Sequence, residues 1–204
     1  MIEELTRPVR ESDIRDLAHL LVDAVNSGAS VSFLAPLSLA RAEEWWQETL
    51  ADGHPRAAFL VARDDQGIVG TVQFHPAWAP NQPHRAEVAK LIVHRRGRRK
   101  GIGRALMLAL EARAQSGGFT LLTLDAKRGE VAERLYRQMG WTPVGVIPGY
   151  ALNADGSGPS DTIIFYKDLH RAADSVGASS ANRGACPESP PGVHSPPRTD
   201  GDDG

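Results

Sequence analysis

The chain has 204 residues, 41% hydrophobic and 24% charged, enough for one domain with a sizeable core but not for a second full domain. Its net charge of -2 argues against a surface given over to nucleic acid or anionic lipid, which favour a large positive field, so any cationic function is local. The lone cysteine, Cys186, excludes an intramolecular disulfide and a cysteine-rich metal site, and no spacing among the histidines suggests a metal. Without a basic, apolar leader at the N-terminus or an apolar run approaching about 18 residues, the expected setting is the cytoplasm, with no membrane contact.

Residues 5–10 read as a short strand, after which Ser12 or Asp13 can cap a helix whose apolar positions Ile14, Leu17, Ala18, Leu21, Ala24 and Val25 keep the helical period up to Gly28. The segment 39–50 is helical and carries Trp45 and Trp46, which as neighbours cannot both face the core. One is expected inside, the other at a ligand cleft or partner surface. The apolar, β-branched runs 57–62 and 68–74 flank Asp64-Asp65-Gln66-Gly67, a turn signal that makes them a hairpin. Residues 87–93 form the next strand, and alternation places Glu87, Ala89, Leu91 and Val93 on one face unless a bulge intervenes.

A helix over 102–115 carries Ile102, Leu106, Ala109, Leu110 and Arg113 at spacings of three and four, and Gly117-Gly118 stops it. With a strand at 121–125 it completes a strand–helix–strand unit, hence a parallel pair with a right-handed crossover. A short helix over 131–139 and strands near 142–147 and 162–169 follow. Beyond His170, Pro, Gly, Ser, Asp and Ala dominate, so residues 171–204 are expected to be a disordered tail on a domain spanning 1–170.

The joint between the 87–93 strand and its helix reads Arg98-Arg99-Lys100-Gly101-Ile102-Gly103-Arg104. It lacks the longer glycine spacing and Lys-Ser/Thr pair of a P-loop, and Leu106 stands where a dinucleotide fingerprint needs a third small residue. A pyrophosphate loop fits better: free backbone donors and the positive end of a helix meet an anion, with four cations around them. A solvated basic turn or a nucleic-acid patch over residues 95–100 is the competing reading.

Arg98-x-x-Gly101-x-Gly103 at the head of a helix resembles the acetyl-CoA signature of the GNAT superfamily of N-acetyltransferases. Ala132-Glu133-Arg134-Leu135-Tyr136-Arg137-Gln138-Met139-Gly140-Trp141 resembles its second signature, and the element order is similar from about residue 5 to 169. A narrower likeness, carried by Arg85-Ala86-Glu87-Val88-Ala89-Lys90-Leu91, Gly145-Val146-Ile147-Pro148-Gly149-Tyr150-Ala151 and Asp161-Thr162, is to the branch that includes the tabtoxin resistance protein. Gly129 departs from the pattern, standing where many members carry an Asn.

The resemblance implies an α/β fold: a mixed, mostly antiparallel sheet with a central splayed parallel strand pair, flanked by about four helices. It implies acetyl-CoA as donor and no metal, with residues 98–104 on the pyrophosphate and the pantetheine arm along Leu91-Ile92-Val93. It implies a small-molecule amine as acceptor, such as an amino-acid-like toxin or antibiotic, and a homodimer in many relatives. Glu87 and Asp125 are the carboxylates it implies as bases, and Tyr136 stands where the family places the group that protonates the thiolate. A phenol near pKa 10 is a weaker acid than a thiol near 8.5, so a hydrogen-bond donor to developing thiolate charge is the better reading of Tyr136. With matched strand ends, Glu87 and Asp125 would sit about 20 Å apart. The rival class is a non-catalytic acyl-CoA sensor, or a module that uses residues 95–100 to hold nucleic acid or a partner.

Overall fold

In the computed structural model, which describes residues 1–51 and 54–170, the apolar periodicity resolves into seven strands and four helices. In chain order these are β1 (Ile2–Glu4), α1 (Glu11–Asn26), α2 (Leu39–Ala51), β2 (Ala58–Asp64), β3 (Gly67–Pro76), β4 (Arg85–Val93), α3 (Ile102–Ser116), β5 (Leu121–Lys127), α4 (Val131–Gln138), β6 (Thr142–Leu152) and β7 (Pro159–Asp168). The tail expected over 171–204 lies outside the described residues.

The strands form one sheet in the order β1-β2-β3-β4-β5-β7-β6, antiparallel throughout except for β4 and β5. Strand periodicity sends alternate side chains to two faces, and each face has its own core. On one, Leu106, Met107 and Leu110 of α3 and Tyr136 of α4 pack with Ala86, Val88, Leu122, Leu124 and Phe165. On the other, Leu17, Leu20 and Leu21 of α1 and Trp46 of α2 pack with Phe59, Val61, Ile68 and Ile92.

Several local expectations are corrected. The first strand is Ile2–Glu4 rather than 5–10, because Pro8 has no N–H to give a ladder; only the Leu5 N–H continues, bonding Phe59 O at 2.8 Å. Neither Ser12 nor Asp13 caps α1: its N-cap is Arg10, without a side-chain cap, and Asp13 instead receives Arg10 (3.0 Å) and Arg63 (2.8 Å). Arg113 leaves the buried stripe of α3 and pairs with Glu4 at 2.6 Å. Trp46 takes the core position, and Trp45 is the half-buried one.

A buried ionic cluster ties the α3 layer to the far sheet edge. Glu111 on α3 accepts from Trp141 Nε1 at 2.9 Å and from Lys167 Nζ at 2.7 Å, and Lys167 also donates to Met139 O at 2.8 Å.

Candidate active site

The parallel pair defines the site. β4 and β5 are bonded only over Arg85↔Leu121, Ala86↔Leu122 and Glu87↔Thr123, and beyond that level they part. β4 keeps β3 on its other side and β5 keeps β7, so the divergence opens a V-shaped slot through the sheet, edged by the main chain of Val88 and the residues after it. Glu87 stands at the apex and Asp125 lies two residues past Thr123, about 7 Å along the strand. The 20 Å separation expected from matched ends is therefore overturned, because the register is set by Glu87↔Thr123 rather than by strand ends. Ala86, Val88, Leu122, Leu124 and Ala126 point to the α3 core, which leaves Glu87, Thr123 and Asp125 together on the α1–α2 face, both carboxylates exposed.

Along 87–93 a bulge does intervene, so the simple alternation stops after Ala89. Register runs Gln73↔Ala89 and then Thr71↔Ile92, so Lys90 and Leu91 together oppose Val72. Lys90 takes the left-handed conformation, φ +52°, which costs a non-glycine residue roughly 1–2 kcal/mol. The extra residue exchanges the faces: Ala86 and Val88, then Leu91, pack toward α3, whereas Glu87 and Ala89, then Ile92, point toward α1 and α2. Glu87 and Leu91 thus stand on opposite faces.

Around the carboxylates the α1–α2 face carries further polar groups. Lys90 Nζ reaches Ser32 Oγ at 2.9 Å, in the loop between α1 and α2, and lies 5.6 Å from the Trp45 ring, itself edge-on to Phe33 at 5.3 Å. His75, cross-strand from Glu87, bonds Gln73 Oε1 at 2.7 Å. Burial, aided by Lys90 and Arg7, pushes the His75 imidazole below its ordinary pKa, so it is neutral at pH 7. Burial likewise lowers the Lys90 ammonium, against the opposing fields of Asp125 and Glu87. Arg85 joins the two strands by donating to Thr123 Oγ1 at 3.1 Å. Trp78, by contrast, is 91% exposed, and His94 Nδ1 accepts the Arg96 N–H at 3.1 Å.

Tyr136 approaches from the other side. It is buried in the α3–α4 core against Trp141 and Phe165, with ring centroids 5.9 Å from each. Burial, then the nearby Asp125 charge, drives its phenol well above the ordinary value of 10. It is protonated at every physiological pH, a donor rather than an acid.

The loop over 98–103 turns through Arg99 (φ +62°) and Gly101 (φ +78°), where an αL N-cap suits glycine. Ala105 N–H is the first in α3 to find a carbonyl, that of Gly101 at 3.0 Å, so the N–H groups of Ile102, Gly103 and Arg104 face outward. Of the basic run, Arg95 is held by Asp23 of α1 and Arg96 by Asp64 through two bonds of 3.1 Å. Burial alone would raise the Asp23 carboxyl, but the bonds from Arg95 and the nearness of His94 bring it below its ordinary value. Arg98 donates to Val93 O at 3.3 Å, and Arg99, Lys100 and Arg104 are exposed. At Gly129 the backbone N–H donates to Glu133 Oε2 at 2.7 Å, closing the start of α4 in place of a side-chain amide.

These residues fit acetyl-CoA. Outward N–H groups among three exposed cations suit a pyrophosphate. The unpaired edge of β4 suits an extended amide-bearing chain. Among the described residues no His/Cys/Asp/Glu group could hold a metal, and no helix is long and apolar enough to cross a membrane.

The chain resembles known proteins over the same span. An L-methionine sulfoximine/L-methionine sulfone acetyltransferase of Pseudomonas aeruginosa is 28% identical over 149 residues, 71% of this chain and 85% of that enzyme. An uncharacterized N-acetyltransferase of Azospirillum brasilense is 30% identical over 121 residues, 58% of this chain and 71% of that protein. The fold matches an N-acetyltransferase from Staphylococcus aureus (TM-score 0.69, 18% identity, 83% of this chain and 98% of that one). It also matches a Salmonella typhimurium protein solved with acetyl-CoA (TM-score 0.66, 16% identity, 92% and 97%). The Acetyltransferase (GNAT) family matches residues 22–141, across the slot, the glycine loop and Tyr136. The chain therefore belongs to the GNAT family of acetyltransferases, which draw their acetyl group from acetyl-CoA.

Proposed function

We propose that this acetyltransferase modifies the free amine of a small, amino-acid-like molecule, with Glu87 as the direct base, Asp125 as its electrostatic partner and Tyr136 as donor to the leaving sulfur. The observation that carries the reading is the slot between β4 and β5, with two carboxylates on one face and a buried phenol on the other. An amine with a pKa near 10 is almost wholly protonated at neutral pH and must lose its proton before attack. Glu87 takes that proton first, and the freed nitrogen lone pair then forms the new N–C bond from the α1–α2 side. The C–S bond breaks toward the opposite side, where the Tyr136 hydroxyl stabilises the sulfur charge. Residues 98–104 hold the pyrophosphate and Leu91, Ile92 and Val93 flank the pantetheine.

The relatives' acceptors, methionine sulfoximine and sulfone, support an amino-acid-like acceptor and a protective role against toxin or antibiotic analogues. A cytoplasmic setting follows from the need for acetyl-CoA. The nucleic-acid module is disfavoured because Arg95 and Arg96 are committed to Asp23 and Asp64. Edge strand β6 exposes Val144, Val146, Ile147, Tyr150 and Leu152, which suits pairing with a second copy of the chain. Size-exclusion with light scattering is expected to report a dimer that Ile147→Asp converts to monomer; a wild-type monomer refutes the pairing.

A thiol-release assay with acetyl-CoA and a panel of amino acids and amines tests the function. Turnover of a small amine is expected, and acetyl-CoA binding without turnover of any amine would sink the proposal. Tyr136→Phe is expected to slow single-turnover acetyl transfer about tenfold, the value of one hydrogen bond to a developing charge, while acetyl-CoA affinity holds. An unchanged rate removes Tyr136 from the chemistry.

A further inference from the structure

Lys90 is the cation that β4 turns onto the α1–α2 wall of the slot, over the Trp45 ring. Its ammonium, half-buried, has a single hydrogen-bond partner among the described residues, Ser32 Oγ at 2.9 Å, and no carboxylate within ion-pair distance. Its other two N–H donors have no protein hydrogen-bond partner among the described residues. Both ends of the Lys90–Ser32 bond also sit on non-glycine residues in the left-handed region, φ +52° and +73°. Local strain of this kind persists where surrounding structure enforces it, and it collects at ligand clamps. Nearby, Gln73 is 1% exposed and its Nε2 is without a partner among the described residues, a second orphan donor on the same face.

The charges on this wall specify what could satisfy them. Glu87 and Asp125 contribute two negative charges and attract an ammonium, whereas Lys90 contributes a positive charge three residues further along β4. His75 is neutral and adds nothing. An acceptor with two anionic groups would be repelled, and a plain amine would leave Lys90 unmet. A zwitterion satisfies both, and the half-buried Trp45 edge against Phe33 offers an apolar surface for its side chain.

Resting on the acetyltransferase reading above, we infer that Lys90 binds the carboxylate of the acceptor, displacing Ser32, and that the acceptor is an α-amino acid with that carboxylate free. The strain at the bulge serves to turn the lysine into the cleft. Selection then comes from the acceptor's charge pattern before the shape of its side chain.

The test is a set of α-amino acids, each paired with its methyl ester and its decarboxylated amine, measured as kcat/KM with wild type, Lys90→Met and Lys90→Arg. Methionine at 90 keeps the unbranched stem and the same backbone demand but loses the charge. Wild type is expected to favour free acids roughly 10- to 100-fold, the size of a charge-assisted hydrogen bond. Lys90→Met should remove most of that ratio by raising KM for the acids, and Lys90→Arg should restore part of it, with KM for acetyl-CoA unchanged in both. Esters or plain amines turned over as well as acids by wild type, or a ratio that survives in Lys90→Met, overturn the anchor while leaving the acetyltransferase reading intact. No turnover of any compound, with acetyl-CoA bound, overturns both.

Discussion

Glu87→Gln is expected to lower kcat by a factor of about 10² to 10³, within the range that positioned general bases contribute, while acetyl-CoA affinity is retained. The side chain is exposed at the apex of the slot, on the face opposite Tyr136, so the substitution removes a proton acceptor without opening a core. The sign of the pH dependence separates loss of a base from misfolding. As pH rises toward the amine pKa near 10, the neutral fraction of the acceptor grows and the variant should recover, so its deficit shrinks from neutral to alkaline pH. Asp125→Asn is expected to cost less, about tenfold, because its carboxylate acts through the field it places on Lys90 and Tyr136. A larger loss in Asp125→Asn than in Glu87→Gln would transfer the base assignment to Asp125.

The second large effect is on stability. Glu111→Ala leaves the Lys167 ammonium, 14% exposed at its side chain, without its counter-ion and Trp141 Nε1 without an acceptor. Removing one member of a buried pair costs about 3–5 kcal/mol, which for a chain of this size lowers Tm by roughly 10 °C. The pair Glu111→Leu with Lys167→Met should recover much of that loss, since apolar replacement of both partners is often neutral. A melting curve of Glu111→Ala that overlays wild type would show the cluster to be dispensable. Activity should suffer even where the variant folds, because Trp141 and Met139 form the turn that ends α4 and orients Tyr136.

Much of this molecule is legible in its sequence where local chemistry and global packing agree. The helix after Gly101, the hairpin at Asp64 to Gly67 and the parallel pair follow from period, turn residues and connection length, and the glycine loop with the Tyr136 helix identifies the family. What stays hidden depends on register and tertiary partners. Glu87 and Asp125 share a face within two residues of one another along the sheet because β4 and β5 align at Glu87↔Thr123, which no composition of either strand encodes. The bulge at Lys90 is invisible because Val88-Ala89-Lys90-Leu91 reads as an ordinary strand, and a lysine is not the residue expected at positive φ. The basic run looks uniform in sequence, yet Arg95 and Arg96 are structural pins while Arg99 and Lys100 are exposed, a division made by Asp23 and Asp64 from distant segments.

The phase change at Lys90 also marks a natural suture for engineering. Upstream of that single residue lie Glu87, α1 and α2, and downstream come Leu91 on the α3 face, Ile92 on the α1–α2 face, and then the glycine loop and α3. A chimera joined at position 90 would exchange one relative's acceptor wall for another's and keep the donor loop in frame. A join one residue to either side that lost the extra residue would rotate Glu87 into the α3 core. Substrate range in this chain can be recombined as a cassette, provided the count of residues between Ala89 and Ile92 is preserved.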